Sequence, residues 1–194
     1  ERLALEQDLK KASAEGQLTA FVQSQVDASG TVIGGELLMR WNHPVRGNVP
    51  PSRFIPVAES SGLILRMGDR MILQACETLA RLHAAGQELL ISVNVSERQF
   101  RQDDFVERVL GMLAQTGAPA ALLILEVTES LLIEHLDDTI ARMSDLVRHG
   151  VRFSIDDFGT GYSSLAYLKR LPLYELKIDK SFIRELHTSK TTMA

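Results

Sequence analysis

Asp156 and Asp157 are adjacent carboxylates that stand at the end of an alternating stretch and lead into a glycine-rich turn. Apolar residues at 151, 153 and 155 alternate with polar ones, which predicts a strand that ends at Asp156. Two ionised carboxylates this close repel each other unless a cation lies between them, and hard divalent ions take oxygen ligands. The pair is therefore a candidate metal site, although a helix cap or a tight turn would also explain it.

More polar residues stand on or at the ends of other predicted strands: Glu36, Asn94, Glu126, Lys177 and Asp179. Burying a charged Glu126 among apolar neighbours costs several kcal/mol unless it is bound to a metal or paired, and a structural salt bridge to an arginine is the alternative. Asn94 would also satisfy backbone groups at its strand end. Arg40 shares a strand face with Glu36 and fits either a phosphate clamp or a partner for that carboxylate. Lys177 is expected to point into a polar mouth rather than to snorkel.

Oxygen ligands dominate this set, which comprises Glu36, Glu126, Asp156 and Asp157 with the amide of Asn94 and the amine of Lys177. Such ligands suit Mg²⁺ or Mn²⁺ rather than zinc, which prefers histidine and cysteine. Two such ions about 3.5 to 4 Å apart are a recurrent solution for phosphoester hydrolysis. Asp156 and Asp157 would then each favour one ion.

The elements that must position these residues follow from the hydrophobic periodicity. A short helix is predicted over residues 1–16, followed by a hairpin of strands 19–27 and 32–40, with the second strand broken at residues 41–44. A helix between residues 62 and 86 leads to strand 89–95. The same unit recurs as helix 105–115 with strand 122–127, and as helix 133–149 with strand 151–156. A last short helix at 163–170 precedes strand 174–179.

Repeated helix, glycine and strand units predict a parallel sheet with its helices outside. An open doubly wound sheet and a closed barrel both fit this alternation. In a (β/α) barrel the carboxyl ends of all strands converge on one mouth, whereas an open sheet strings them along a line. Because so many strands end in polar residues, the sequence favours the barrel.

The length, composition and net charge of the chain favour a globular domain and argue against several other classes of protein. The chain has 194 residues, of which 45% are hydrophobic and 24% charged, enough for a well-buried core. A net charge of -4 argues against a general nucleic-acid binder. No run approaches the roughly 18 apolar residues of a membrane span, and the single cysteine allows no disulfide within one chain.

The motifs, taken in order, resemble those of EAL-type cyclic di-GMP phosphodiesterase domains. They are Glu36–Trp41, an E-x-L-x-R signature with Leu37 in place of the usual alanine, then Phe54–Glu59, Ser92–Ser96, Glu126–Ser130, Asp156–Leu165 and Lys177–Asp179. The resemblance runs from about Leu18 to Phe182. It implies an α/β fold, a TIM-like barrel whose first strand runs antiparallel, and it implies metal-dependent hydrolysis of cyclic di-GMP to linear pGpG with Mg²⁺ or Mn²⁺.

The resemblance also implies roles for single residues. Metal would be bound by Glu36, Asn94, Glu126 and Asp156, with Asp157 serving a second ion, and Glu36 and Lys177 would be catalytic, Lys177 orienting or activating the attacking water. Arg40 would hold a ligand phosphate, while Gln23, Leu38 and Asp179 would contribute to binding the dinucleotide. Glu129 would fix the loop of residues 157–164, which in this family also contributes to a homodimer interface. Ser24 replaces the family's usual proline.

The family continues with two more strands, which bring a further metal-binding glutamate and a ligand-binding glutamine. A full barrel has about 250 residues, so we expect residues 17–194 to form an EAL-type domain truncated before its last two strands, with residues 1–16 a linker or helix. Cyclic di-GMP, a second copy of the chain and an upstream sensory or cyclase domain are the expected partners, in the cytoplasm, without nucleic acid or membrane contact. The alternative is a catalytically inactive cyclic di-GMP receptor, which the substitutions at positions 24 and 37 and the missing glutamate would favour.

Overall fold

The computed structural model describes residues 2–132, 135–158 and 168–179. Its strands are β1 (Leu18–Val26), β2 (Val32–His43), β3 (Gly47–Val49), β4 (Leu90–Asn94), β5 (Leu123–Thr128), β6 (Arg152–Phe158) and β7 (Glu175–Ile178). Its α-helices are α1 (Arg2–Glu15), α2 (Pro51–Ser61), α3 (Leu63–Ala84), α4 (Glu97–Phe100), α5 (Phe105–Thr116) and α6 (Leu136–Arg148). Within these ranges, every helix is too short or too polar to cross a membrane.

The strands form a single sheet in the order β1-β2-β4-β5-β6-β7, and β3 pairs with β2 outside this path. β1 runs antiparallel to β2, and the strands from β2 to β7 along the path are parallel to one another. β1 and β7 are the edges of the sheet in the described part of the chain, so the barrel does not close there. The α/β class, the antiparallel first strand and the incomplete barrel are confirmed.

The predicted alternation of helix, glycine and strand is also confirmed. Gly117 shows why glycine ends a helix here: it adopts a left-handed φ of 68°, and its N–H donates to the Leu113 carbonyl to complete the last turn of α5. The helix predicted at residues 163–170 lies largely outside the described residues.

The break predicted at residues 41–44 is wrong. β2 continues to His43 and turns into β3, with Trp41 paired opposite Val49. The cause is Trp41, which is fully buried, packs edge to face on Phe54 at 5.7 Å between ring centroids and donates from Nε1 to Gln17. A strand-favouring aromatic that packs this well outweighs the polar residues around it.

The buried side chains form a large and a small cluster. The large one packs α3, α5 and α6 against the outer face of β4, β5 and β6. The small one joins Trp41 and Phe54 to α1, from which Leu5 and Leu9 are buried. The helix predicted for residues 1–16 therefore packs against the elements that follow it, while the domain boundary at residue 17 stays a prediction.

Candidate active site

The register of the sheet places the polar residues of several strands on one face. Asn94 pairs with Glu126, which pairs in turn with Ser154 on β6. Glu36 pairs with Ser92, two residues before Asn94, and strand residues two apart share a face. The residues between them pack against the helices, so the polar side chains lie on the inner face of the partial barrel, near the carboxyl ends of the parallel strands.

The Lys177 ammonium on β7 joins the acidic residues of two other strands. Its Nζ lies 2.9 Å from Oε2 of Glu36 and forms a close ion pair with Oε1 of Glu126. The other oxygen of Glu36 accepts a hydrogen bond of 2.8 Å from Nδ2 of Asn94. The structure thus brings together four of the predicted site residues, one each from β2, β4, β5 and β7.

Glu126 is the most deeply buried charge-bearing group of the site, with 1% of its surface exposed. Burial raises its pKa to about 7, although the Lys177 ammonium lowers it in part. The salt bridge expected as an alternative is present, but its cation is a lysine from β7 rather than an arginine. The Lys177 ammonium that pairs with Glu126 lies at the barrel mouth. The ion pair is therefore compatible with metal binding by Glu126 and does not replace it as an explanation.

The charges of the site also shift its other groups. Desolvation lowers the pKa of Lys177, but hydrogen bonds to Glu126 and Glu36 outweigh it and the net pKa is raised. Partial burial, followed by the charges of Asp156 and Asp179, raises the pKa of Asp157. Asp157 also has a left-handed φ of 53°, which turns the chain directly after the strand. Lys177 is consequently cationic at neutral pH, and an excess of negative charge surrounds it.

The donor set fits a hard divalent ion. The carboxylates of Glu36 and Glu126 both contact Lys177, Asn94 contacts Glu36, and Asp156 pairs with Thr128 on the same inner face, so oxygen-bearing side chains of the kind that hard divalent ions take line this face. Among the described residues, no group of three histidine, cysteine or acidic side chains is gathered closely enough to hold an ion. Lys177 stands between Glu36 and Glu126 and supplies the positive charge there.

The predicted ligand-binding residues lie beside this centre. Gln23 on β1 pairs with Glu36 and is exposed, and Leu38 is half-buried two residues further along β2. Arg40 donates from Nη1 to the Met39 carbonyl and forms no ion pair with Glu36, so that alternative is not supported. Its guanidinium lies 5.9 Å from the centre of the Phe21 ring.

Two further predictions concern the rim of the site. Asp179 is half-buried, and its N–H donates to the Phe158 carbonyl. Glu129 is buried at the start of the short turn that follows β5. The residues from 159 to 164 of the loop that Glu129 is predicted to fix lie outside the described residues, so that role stays a prediction, as does the dimer interface.

Residues 6–194 match the family described as the EAL domain. The chain belongs to this family. It is 43% identical, along its whole length, to the cyclic di-GMP phosphodiesterase NbdA of Pseudomonas aeruginosa, and 43% identical over 96% of its length to the bifunctional diguanylate cyclase/cyclic di-GMP phosphodiesterase MucR of the same organism. A solved structure of the PaMucR phosphodiesterase in complex with c-di-GMP superposes with a TM-score of 0.92 at 41% identity, covering 98% of this chain and 78% of that one.

The EAL domain described by this chain spans only part of these relatives. It covers 25% of the length of NbdA and 27% of the length of MucR. The TIM-like barrel expected from the sequence is the fold of its structural neighbours, and the open sheet seen here is an incomplete form of it.

A polar chain that the sequence did not predict lies behind the end of β4, the strand that carries Asn94. Gln99 on α4 is fully buried, and its Nε2 donates to Oδ1 of Asp69 at 2.9 Å. The second oxygen of Asp69 accepts from Arg108 at 2.9 Å, so α3, α4 and α5 are tied together. The Gln99 N–H also donates to Oγ of Ser96, which caps α4. The spacing S-x-x-Q directly after a strand was the available signal.

Gly68 is what lets Gln99 lie against α3. A Cβ added at Gly68 would stand 2.2 Å from Oε1 of Gln99, closer than atoms can approach. Both residues line a cavity of about 280 Å³ that also borders Leu38, Arg40 and Asn94. The mouth of the EAL domain therefore continues as a space between the strand ends and the helices α2 and α3.

Proposed function

We propose that this EAL domain hydrolyses cyclic di-GMP to linear pGpG in bacterial signalling, using Mg²⁺ or Mn²⁺. The observation that carries the proposal is the cluster of Glu36, Asn94, Glu126 and Lys177, drawn from strands far apart in sequence onto one face. The names of the matched relatives support the substrate, because NbdA and MucR are cyclic di-GMP phosphodiesterases.

Metal binding is assigned to the residues with oxygen donors. Glu36, Asn94, Glu126 and Asp156 hold one ion, and Asp157 serves a second. When bound, such ions activate water and stabilise the charge of an in-line displacement at phosphorus. The pKa of Asp157 is raised first by desolvation and then by the charges of Asp156 and Asp179, and a bound cation would offset that repulsion.

Lys177 is assigned to orienting the attacking water. Its raised pKa keeps the side chain protonated at neutral pH, so it donates hydrogen bonds and holds no free pair to accept a proton. Of the two roles that the sequence suggested, orientation is therefore favoured over activation as a base. Glu36 fixes the ammonium in place by its ion pair and is fixed itself by Asn94.

The ligand is assigned to the side of the mouth formed by β1 and β2. Arg40, which carries no carboxylate partner among the described residues, holds a phosphate. Gln23 and Leu38 on the inner face, with Asp179 at the rim, contact the rest of the dinucleotide. We further assign the domain to the cytoplasm and to a homodimer through the loop of residues 157–164. We also assign it to a protein with an upstream sensory or cyclase domain, and the greater length of its relatives supports further domains of this kind.

The test incubates the natural full-length protein with cyclic di-GMP and Mg²⁺ or Mn²⁺ and resolves pGpG by chromatography. K177A and E36A are expected to lower turnover by about 10² to 10³-fold, the cost of removing one preorganised charged contact. K169A, at an exposed lysine of the described chain, is the matched control and should leave turnover unchanged. Turnover that survives in K177A and E36A would overturn the assignment, and binding without turnover in the wild type would identify a receptor.

A further inference from the structure

Phe21 is a large aromatic side chain on the inner face of the partial barrel, and 55% of it is exposed among the described residues. It pairs with Leu38 across the β1–β2 ladder, between the pairs Thr19 with Arg40 and Gln23 with Glu36. Since strand residues two apart share a face, Phe21 lies on the same face as Gln23 and Glu36. Its ring is therefore directed to the mouth of the site rather than to the helices.

Arg40 connects this ring to the phosphate side of the proposed ligand. Its guanidinium lies 5.9 Å from the ring centre, within the range of a cation–π contact. A phosphate held by Arg40 would thus have the exposed aromatic face beside it. In a nucleotide the base is joined to its phosphate through a single sugar, so the base would reach that face without leaving the mouth.

We propose that Phe21 is the platform on which one purine base of the bound dinucleotide stacks, an inference that rests on the function proposed above. Base–aromatic stacking needs an accessible flat ring, and Phe21 offers one. Leu38, directly opposite on β2, extends the apolar floor, while Gln23 supplies hydrogen-bonding groups at its edge. Phe21 binds the ligand and takes no part in proton transfer, so its removal is expected to raise Kd and KM rather than to lower kcat.

Val22 supplies a matched control on the neighbouring position. It is 57% exposed, close to the 55% of Phe21, but it faces the other side of β1, where its Cγ1 approaches Gly35. Within the described part of the chain both side chains are more than half exposed, so neither position belongs to the core clusters described above. A difference between the two positions therefore reports which face of β1 meets the ligand.

The direct readout uses tryptophan fluorescence. The chain has one tryptophan, Trp41, which is fully buried, so F21W and V22W each add a single exposed indole. Cyclic di-GMP is added with Ca²⁺ in place of Mg²⁺ so that ligand is not consumed. We expect quenching by stacked guanine in F21W and none beyond wild type in V22W. Equal quenching in both, or in neither, overturns the inference.

The affinity readout uses F21A, F21L and F21Y. We expect F21A and F21L to raise Kd and KM by about 5- to 100-fold, the range for one lost stacked base, with kcat within about threefold of wild type. F21Y should retain wild-type affinity because its ring stacks equally well, and V22A should change Kd by less than about twofold. If F21A binds cyclic di-GMP with wild-type affinity, the inference is overturned and the proposed function is left intact. A wild type that binds through Phe21 without turnover supports the inference against the proposed function, and a wild type that binds nothing overturns both.

Discussion

The two faces of the sheet are made by the same strands yet are opposite in chemistry. On the outer face, Leu37, Val93, Leu125 and Phe153 pair in one row across β2, β4, β5 and β6, and all are buried in the large core. On the inner face, Asn94, Glu126 and Ser154 form a neighbouring row. Neighbouring residues of one strand point to opposite faces. One residue therefore contributes to the stability of the core, and the next contributes to the candidate active site.

The strongest test of this division replaces two neighbouring residues on β6. Phe153 is fully buried and lies edge to face with Phe100 at 6.2 Å between ring centroids. F153A should lower the free energy of unfolding by about 3 to 5 kcal/mol, through lost burial and the cavity that remains. Chemical denaturation measures it.

Ser154, the next residue, is the matched control. It is equally buried, but its Oγ has no hydrogen-bond partner within the described chain. S154A should therefore change the free energy of unfolding by less than about 1 kcal/mol. Equal losses in S154A and F153A would contradict the division of labour between the faces.

Burial of the Glu126 carboxylate on the inner face should make the stability of the protein depend on pH. The pKa of Glu126 is about 7 in the native protein against an ordinary value of 4.5, so between these pH values the native state holds the extra proton. The free energy of unfolding should therefore fall as pH rises from about 4.5 to about 7, by about 3 kcal/mol from this group. Below that window its contribution is constant.

E126Q removes the titration while keeping the shape of the side chain. The difference between the wild-type and E126Q stability curves, measured with chelator present, should have this slope between pH 4.5 and 7 and be flat on either side. Two parallel curves would show that Glu126 titrates normally. Adding Mg²⁺ should raise the stability of the wild type more than that of E126Q at pH 7, because ligands that bind the native state stabilise it.

The outer face and the inner face also differ in how far the sequence predicts them. Apolar periodicity located the outer strands and helices to within a few residues, because burial of Leu125 or Phe153 leaves a local pattern. The inner face was predicted as a set of polar strand ends, and the contacts of Lys177 with Glu36 and Glu126 are consistent with it.

What the sequence did not reveal depends on partners far apart in the chain. Trp41 extends β2 because it packs on Phe54 and donates to Gln17. Gln99 is buried because Asp69 accepts its hydrogen bond and Gly68 leaves space for its side chain. Exposed Phe21 had no local signal at all, since only the hairpin register directs it to the mouth. Such features need a tertiary contact to define them.

The smallest effects compare two glycines inside helices on the outer side of the sheet. Gly68 lies against Gln99, where a new Cβ would stand 2.2 Å from Oε1, whereas at Gly111 in α5 a Cβ would meet nothing within 4 Å. G68A should lower the free energy of unfolding by about 1 to 3 kcal/mol, because the clash forces the buried amide to move. G111A should instead raise it by about 0.5 to 1 kcal/mol, since alanine is the better helix former and no contact opposes it.

The G68A protein also tests whether the polar chain of α3, α4 and α5 supports the site. Moving Gln99 strains its hydrogen bond to Asp69 and the cap at Ser96, two residues after Asn94. Because the cap at Ser96 lies so near Asn94 in the chain, we expect the Mg²⁺ concentration that gives half-maximal activity to rise in G68A and not in G111A. If G68A loses stability but keeps the metal dependence of the wild type, the helices behind the sheet serve only the core. The outer face would then affect stability alone, although Gln99 links the helices to the strand end beside Asn94.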